Sequence, residues 1–347
     1  MSVIYDFKEN IKKEELDDIA KALNMEKIVV FPTETVYGIG ADATNDNAVK
    51  KIFEAKGRPQ DNPLIVHISN YKMLEDIVEK PSKVEKILMD KFWPGPLTII
   101  LKNKNKLSKI VTAGLDTVGV RMPDNKIALK IIEASKKPIA APSANVSGKP
   151  SGTNLKDIFN ELDGKVDYFV DGGDTDIGVE STVIKVENNV VNILRPGKVS
   201  LEDIKNIGLE VNLDSHVFKE AKKDEIVLSP GMKHRHYAPL TKSILVDYND
   251  DDQEMLKKIK EFKENNNLEV GVICFEEHEE YLKSIGIKTV VMGKKDDLSG
   301  ISKNIFSLIR KIDSIGIDVC LIEGVKKEYI GTAIMNRIIR ACGYNVL

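Results

Sequence analysis

Two different patterns of apolar and polar positions divide the chain. Up to about Leu213, short apolar runs alternate with polar loops of irregular length. IVVFP, from Ile28 to Pro32, reads as a buried strand entering the polar loop TETVYGIGAD. NDNAVKKIFEAKG has helical spacing, with Asn45 or Asp46 as its N-cap and Gly57 as its stop. PLIVHIS and PLTIILK are strands entered through proline, and VGVRM and PIAAPSAN supply two more. Thr153 or Asn154 caps a helix over LKDIFNEL. STVIKV and VVNILRP pair across the ENN turn, and Ser200 with Asp203 opens a further helix through a capping box.

From Leu240 onward the alternation becomes regular. SILVDY, EVGVICF, TVVMG and VCLIEG are strands, separated by helical patterns such as DQEMLKKIKEFKE and ISKNIFSLIRKI. That order implies βαβ units and a parallel sheet of about four strands. The expected fold class is α/β: a twisted, open, mixed-sheet domain over residues 1–213, a linker over 214–240, and a smaller Rossmann-like (flavodoxin-like) parallel domain over 241–347. No G-x-G-x-x-G turn follows the first strand of the smaller domain, so its fold carries no dinucleotide claim.

Composition narrows the class only a little. A chain of 347 residues is long for one core, and 42% hydrophobic with 30% charged residues reads as a soluble globular protein. A net charge of -3 gives no global attraction to nucleic acid or anionic membranes. The N-terminus is charged throughout, unlike a signal peptide, and no apolar run approaches the roughly 18 to 20 residues of a membrane span. A cytoplasmic location is therefore expected. Cys274, Cys320 and Cys342 are odd in number and far apart, and read as buried free thiols.

Four polar segments beside strands carry candidate chemistry. In PTETVYG, Thr33, Glu34 and Thr35 supply hydroxyls and a carboxylate, or only a helix cap. In KGRPQDNPLIVH, Lys56 and Arg58 either cap an electronegative helix end or form an anion site. His67, which follows, is either a structural hydrogen-bonder or a ligand. In TVGVRM, Arg121 points either outward to water or inward to a carboxylate. In APSANVSGKPSGTN, Ser143, Asn145, Ser147, Ser151 and Thr153 form either a plain loop or a set of donors for phosphate oxygens.

Taken together, Lys-x-Arg and Ser-x-Asn supply two cations and two neutral donors, which suit a triphosphate and a reacting phosphorus. No serine-histidine-aspartate, HExxH or CxxC pattern accompanies them. SPGMKHRHYAP, from Ser229 to Pro239, brings His234, His236 and Tyr237 to the domain junction. It reads as a metal pair, a plain linker, or a cover for something bound elsewhere.

FPTETVYG, KGRPQDNPL, FWPGPLT, GVRMP, APSANVSGKPSGT, ESTVI and LRPG, in this order, resemble the YrdC-type threonylcarbamoyl-adenylate synthases. SPGMKHRHYAP with the α/β tail is similar to their longer, two-domain form. The resemblance implies a YrdC-like first domain and a nucleotidyltransferase. Such an enzyme joins L-threonine, bicarbonate and ATP into threonylcarbamoyl-AMP and pyrophosphate, for threonylcarbamoyladenosine modification of tRNA. It implies Lys56, Arg58, Ser143 and Asn145 as catalytic residues. The threonine side would be Thr35, His67, Arg121, Ala141 through its backbone, and Ser181.

By the same resemblance the nucleotide side would be Arg58, Asn62, Thr117, Ser143, Ser151 and Arg195, with His234, His236 and Tyr237 from the linker. Mg²⁺ would arrive with ATP, and Glu34, Asp171 and Asp174 are the nearest carboxylates that could help hold it. The implied partners are the three substrates, a transient contact with a downstream tRNA threonylcarbamoyl transferase complex, and a weak tRNA contact, with no membrane. SPGMKHRHYAP would fold over the ATP as a lid. Two other classes stand beside this one. A carbamoyl-adenylate-forming maturation enzyme would bring acylphosphatase-like and zinc-finger segments that this chain lacks. A non-catalytic RNA-binding protein would need a local basic patch.

Overall fold

The computed structural model describes residues 2–60, 62–219, 237–248 and 250–347. The first part runs β1 (Val3–Asp6), α1 (Lys13–Asn24), β2 (Val29–Phe31), β3 (Gly38–Asp42), α2 (Asp46–Lys56), β4 (Ile65–His67), α3 (Tyr71–Ile77), α4 (Lys83–Phe92) and β5 (Leu97–Lys102). It continues with β6 (Thr117–Arg121), α5 (Lys126–Ser135), β7 (Ile139–Ala140), α6 (Leu155–Leu162), β8 (Tyr168–Asp171), β9 (Thr182–Glu187), β10 (Val190–Arg195), α7 (Leu201–Asn206) and β11 (Val211–Leu213). These strands make an eleven-stranded mixed sheet, ordered β1-β8-β2-β3-β7-β4-β6-β5-β9-β10-β11.

The second part holds β12 (Lys242–Val246), α8 (Asp252–Asn265), β13 (Val270–Phe275), α9 (Glu276–Ser284), β14 (Lys288–Gly293), α10 (Leu298–Lys311), β15 (Val319–Glu323) and α11 (Ile330–Ala341). Its four strands are all parallel, in the order β12-β15-β13-β14. The expected mixed sheet and smaller parallel sheet are both present.

Local chemistry explains the element boundaries. The Asn45 side chain accepts from the backbone N–H of Asn47 and Ala48 to start α2, and Gly57 ends it at φ 59°. Asn154 caps α6, and Ser200 with Asp203 forms a reciprocal capping box on α7. β9 and β10 pair antiparallel, with Val190 opposite Glu187 across the ENN turn. α9 fills the helix position between β13 and β14 that the alternation of strands and helices implies, and buries only His278 and Leu282.

Two cores meet at the loops that hold the polar segments. The larger cluster, with Val30, Ile39, Val66, Ile99, Val120 and Phe169, fills the first sheet. The second, around Val272, Phe306, Ile309, Leu321 and Ile334, also takes in Val36, Val179 and Tyr237. Val36 lies in the β2–β3 loop and Val179 in the loop before β9. The apolar interior of the smaller domain therefore extends under the larger one's loops. Gly178, at φ +84°, sits so close to α10 that a Cβ there would lie 2.3 Å from the Ser302 carbonyl oxygen. The three cysteines are buried and free. Among the described residues, no helix is long and apolar enough to cross a membrane.

Candidate active site

The β2–β3 loop is a compact hydroxyl turn. Thr33 Oγ1 donates to the Val36 carbonyl at 2.6 Å and accepts from the backbone N–H of Thr35 and Val36, each at 3.3 Å. With that proton committed, the Thr35 hydroxyl donates to Thr33 Oγ1 at 2.8 Å. Thr35 Oγ1 in turn accepts from Arg121 Nη1 at 2.9 Å.

Arg121 points inward and is only 3% exposed. Its Nε donates to the Gly95 carbonyl at 3.2 Å, and its Nη2 lies 2.6 Å from a Glu34 carboxylate oxygen. That ion pair is not an aligned hydrogen bond: Nη2 and both Glu34 oxygens are buried without a hydrogen-bond partner. The guanidinium thus keeps donor capacity unspent. His67 stands beside Arg121 in the parallel β4–β6 register. Burial and then the Arg121 charge push its pKa down to about 3, so the imidazole is neutral, and its Nδ1 has no hydrogen-bond partner.

Lys56 ends α2 but does not cap it. Its buried ammonium turns into the Ser-x-Asn loop and donates to the Ser143 carbonyl, to the Asn145 carbonyl at 2.6 Å and to Asn145 Oδ1 at 3.3 Å. Burial, then repulsion from Arg58, push its pKa well below the usual lysine range. Three acceptors nonetheless match the three protons of an ammonium. The Ser143 hydroxyl donates to Asn145 Oδ1 at 2.6 Å, and Asn145 Nδ2 donates to the carbonyls of Val146 and Lys149. Lys56, Ser143 and Asn145 therefore form one hydrogen-bonded cluster, in which the lysine shapes the loop.

Arg58 Nη2 reaches the carbonyls of Asn62 and Pro63, both at 3.5 Å. The Asn62 amide is buried with neither its nitrogen nor its oxygen hydrogen-bonded. Ile65 pairs with Gly119, so continuing the register puts Thr117, the first residue of β6, beside Pro63. Arg58, Asn62 and Thr117 thus gather at the entry end of β4 and β6, and His67 and Arg121 at the exit end. Four residues of strand separate the two ends, about 13 Å.

On the far wall, the Ser181 hydroxyl shares a 2.8 Å hydrogen bond with Thr98. Ser181 also accepts from Arg195, at its carbonyl (3.0 Å from Nη2) and at its hydroxyl (3.2 Å). Burial brings the Arg195 pKa down to about 10. Gly197 makes this approach possible, since a Cβ there would lie 2.3 Å from the Thr182 nitrogen.

One cleft is lined by Thr35, Lys56, Arg58, His67, Arg121, Ala141, Ser143, Asn145, Ser181, Arg195 and Tyr237. Asn62 and Thr117 lie beside it rather than in its lining. Ser151 reaches it through a residue the motif reading passed over, Glu180. The Ser151 hydroxyl donates to Glu180 Oε1 at 2.5 Å, and Arg337 Nε donates to Oε2 at 2.9 Å. Burial alone would raise the Glu180 pKa, but the Arg337 and Arg195 guanidiniums more than offset it and hold it at about 2. Arg337 belongs to α11 of the smaller domain and is wholly buried. Its guanidinium lies 5.9 Å from the Tyr237 ring, which packs 5.0 Å from Phe306. The available signals were Glu180 at the head of ESTVI and an arginine inside the apolar helix IGTAIMNRIIRA. His234 and His236, with the lid and metal-pair readings of SPGMKHRHYAP, lie outside the described residues.

The carboxylates near the cleft are committed elsewhere. Glu34 pairs with Arg121, Glu180 with Arg337, and Asp171 with Lys8 at 3.0 Å. Among the described residues no group of three or more His, Cys, Asp or Glu could hold a metal ion. These side chains do not fit a resident divalent cation. The Ser143 and Ser181 hydroxyls are hydrogen-bonded to amide, hydroxyl and guanidinium groups, and Ser151 faces a Glu180 carboxylate whose pKa is held at about 2, too weak a base to activate it. The arrangement suits charge neutralisation and orientation of two bound reactants.

A wide mixed sheet bearing a cleft of buried cations and hydroxyls, backed by a parallel α/β unit, defines a two-domain group-transfer protein. Residues 21–197 match the Sua5_yciO_yrdC family model, described as "Telomere recombination". Residues 199–343 match the model described as "Threonylcarbamoyl-AMP synthase, C-terminal domain". The chain belongs to this family. It is 42% identical to the threonylcarbamoyl-AMP synthase of Pyrococcus abyssi over 100% of this chain and 99% of the relative. It is 41% identical to that of Bacillus subtilis over 94% and 93%. The crystal structure of P. abyssi Sua5 complexed with L-threonine superposes at TM-score 0.89, with 41% identity over 100% of this chain and 99% of that one.

Proposed function

We propose that this chain is an L-threonylcarbamoyladenylate synthase, forming threonylcarbamoyl-AMP and pyrophosphate from L-threonine, bicarbonate or CO2, and ATP. The observation that carries the reading is a single cleft with two unlike ends. The Thr35–Arg121–His67 cluster suits an amino-acid carboxylate, and the Arg58–Ser143–Asn145 cluster suits a polyphosphate. Full-length relatives with this name and a relative crystallised with L-threonine support it.

The substrates supply the nucleophile. Threonine's amine adds to the carbonyl carbon of CO2 or bicarbonate, giving a carbamate with loss of a proton or of water. A carbamate oxygen then attacks the α-phosphorus of ATP, the bond to the β,γ-diphosphate breaks, and pyrophosphate leaves. The protein's task is positioning and charge stabilisation. Arg121, with donor capacity unspent, takes the threonine carboxylate, and Thr35 and Ser181 fix its surroundings. Neutral His67 adds no positive charge against the amine. Arg58 faces the phosphates and Lys56 keeps the Ser143–Asn145 loop in shape. Mg²⁺ travelling with ATP would be held by the phosphates and would supply further neutralisation there. Nucleotide roles for Asn62, Thr117 and Ser151 fit their grouping around the cleft, whereas those of His234 and His236 rest on the family resemblance alone. The reading carries a cytoplasmic location and a hand-over to a tRNA-modifying transferase, where ATP and tRNA meet.

Pyrophosphate release, measured with each substrate omitted in turn, tests the proposal. Full release is expected only with all three present, and at least 100-fold less from Arg58→Ala. Release that ignores threonine would sink it. Steeply salt-dependent tRNA binding with no pyrophosphate formed would favour the RNA-binding class instead.

A further inference from the structure

We propose that Arg310 and Arg337 of the smaller domain are positioning residues that hold the loop from Val146 to Ser151 in its nucleotide-binding shape. The claim rests on the reading of that loop as the nucleotide side of the cleft. The loop, rich in Gly and Pro, lies outside any helix or strand. From within its own domain it is tied by Ser147 N–H to the Lys56 carbonyl at 2.8 Å, and by Asn145. Ala238 N–H also donates to the Gly148 carbonyl at 3.1 Å, and Lys149 Nζ lies 3.5 Å from Glu161 Oε1. The remaining fastenings lead to the smaller domain, directly or through Glu161 and Glu180. Val146 N–H donates to Glu161 Oε2 at 3.2 Å, and the other oxygen of that carboxylate receives Arg310 Nη1. Arg310 Nη2 donates to the Pro150 carbonyl. The Ser151 hydroxyl is held by Glu180, whose second oxygen is held by Arg337. The first, fifth and sixth residues of the loop are thus fixed through two guanidiniums of α10 and α11.

Adhesion alone does not explain these arginines. Both lie where the second hydrophobic core meets the first domain, and Arg337 Nη2 and Arg310 Nε are buried without hydrogen-bond partners. Apolar side chains of similar volume are often as stable as buried ion pairs, or more so, in such places. Arg310 bonds the loop directly at Pro150. Arg337 reaches it through Glu180, while its Nη1 donates to the Pro196 carbonyl and to Asn336 Oδ1, both at 2.9 Å. Apolar replacements would lose these directional bonds.

The test uses full-length protein with Arg310→Met, Arg337→Met and the charge-neutral pair Glu180→Gln/Arg337→Met, which keeps a foldable variant in hand if the single substitution unfolds. Hydrogen exchange, which needs no turnover, should rise at least about 10-fold in peptides covering 144–153 of the arginine variants, with peptides from β4, β5 and β6 unchanged. In steady-state assays the KM for ATP should rise about 10-fold, while that for threonine stays within about 3-fold. Arg337→Lys should recover part of the loss. In a Ser151→Ala background, Arg337→Met should cost much less than in the parent, because the two act through one contact. Unchanged exchange in the loop, or equal rises in both KM values, would overturn the proposal. If the parent protein releases no pyrophosphate, the chemistry assigned to the cleft fails while the exchange result still decides whether the arginines order the loop.

Discussion

His67 shows how a single residue carries both ends of the argument. Its imidazole is neutral because burial, and then the Arg121 charge, disfavour protonation, with a folded-state pKa of about 3 against 6.5 for the free side chain. A histidine depressed in this way gives its full contribution above pH 6.5. Between 6.5 and 3 the unfolded chain takes up a proton that the folded one refuses, so stability falls as pH falls, by about 1.4 kcal/mol per unit. From pH 7 to pH 5 the loss from this residue comes to about 2 kcal/mol. Urea unfolding at both pH values should show that loss in the parent and about 2 kcal/mol less of it in His67→Leu. Equal losses in the two proteins would remove His67 as the cause. In the sequence, His67 and Arg121 each have two readings. For Arg121 the partners decide for the inward reading, and Glu34, Gly95 and Thr35 come from distant loops that no spacing rule connects to β6. Lys56 is the sharper case: its motif is legible, but its direction away from the helix end and into the Ser143–Asn145 loop is not.

At the scale of elements, the strands and capped helices were legible because their causes are local. Asn45 and Gly57 bound α2, Ser200 and Asp203 open α7, and apolar runs mark β12, β13 and β15. The place of α9 follows from the alternation of strands with helices, its own sequence being mostly charged. Loops were legible as candidates but not as shapes. Gly152 is an instance where the shape makes a demand. A Cβ at this position would lie 2.1 Å from Ile158 Cγ1 and 3.1 Å from the Ala144 carbonyl oxygen, pressing the loop away from α6. Gly152→Ala should destabilise the protein by about 1–3 kcal/mol, as overpacking does, and should also weaken ATP binding, because Ser151 moves with it. An unchanged urea midpoint would show that Ile158 yields without cost.

At the scale of the whole molecule, the change in grammar near Leu240 suggests two separable domains, and the contacts between them argue for one cooperative unit. Val36 and Val179 of the larger domain are buried in the smaller one's core, and Glu180 faces Arg337 across the boundary. Nothing in the local sequence marks Val36 or Val179 as interface, since an apolar residue in a loop looks the same whatever covers it. Removing residues 229–347 therefore does more than remove SPGMKHRHYAP. It uncovers both valines and the Glu180 carboxylate, which loses Arg337 and keeps the Ser151 hydroxyl as a partner. Full-length protein should melt in a single calorimetric transition, and the 1–228 fragment should melt at least 10 °C lower. Glu180→Gln should then leave the fragment's stability nearly unchanged, since solvent reaches the carboxylate there, while destabilising the intact chain by about 3–5 kcal/mol, where it breaks a buried pair. Two well-separated transitions in the full chain, or a fragment as stable as the parent, would show that the domains stand independently. The contrast between the two backgrounds isolates the charge pair from the apolar part of the interface, because the substitution leaves Val36 and Val179 untouched.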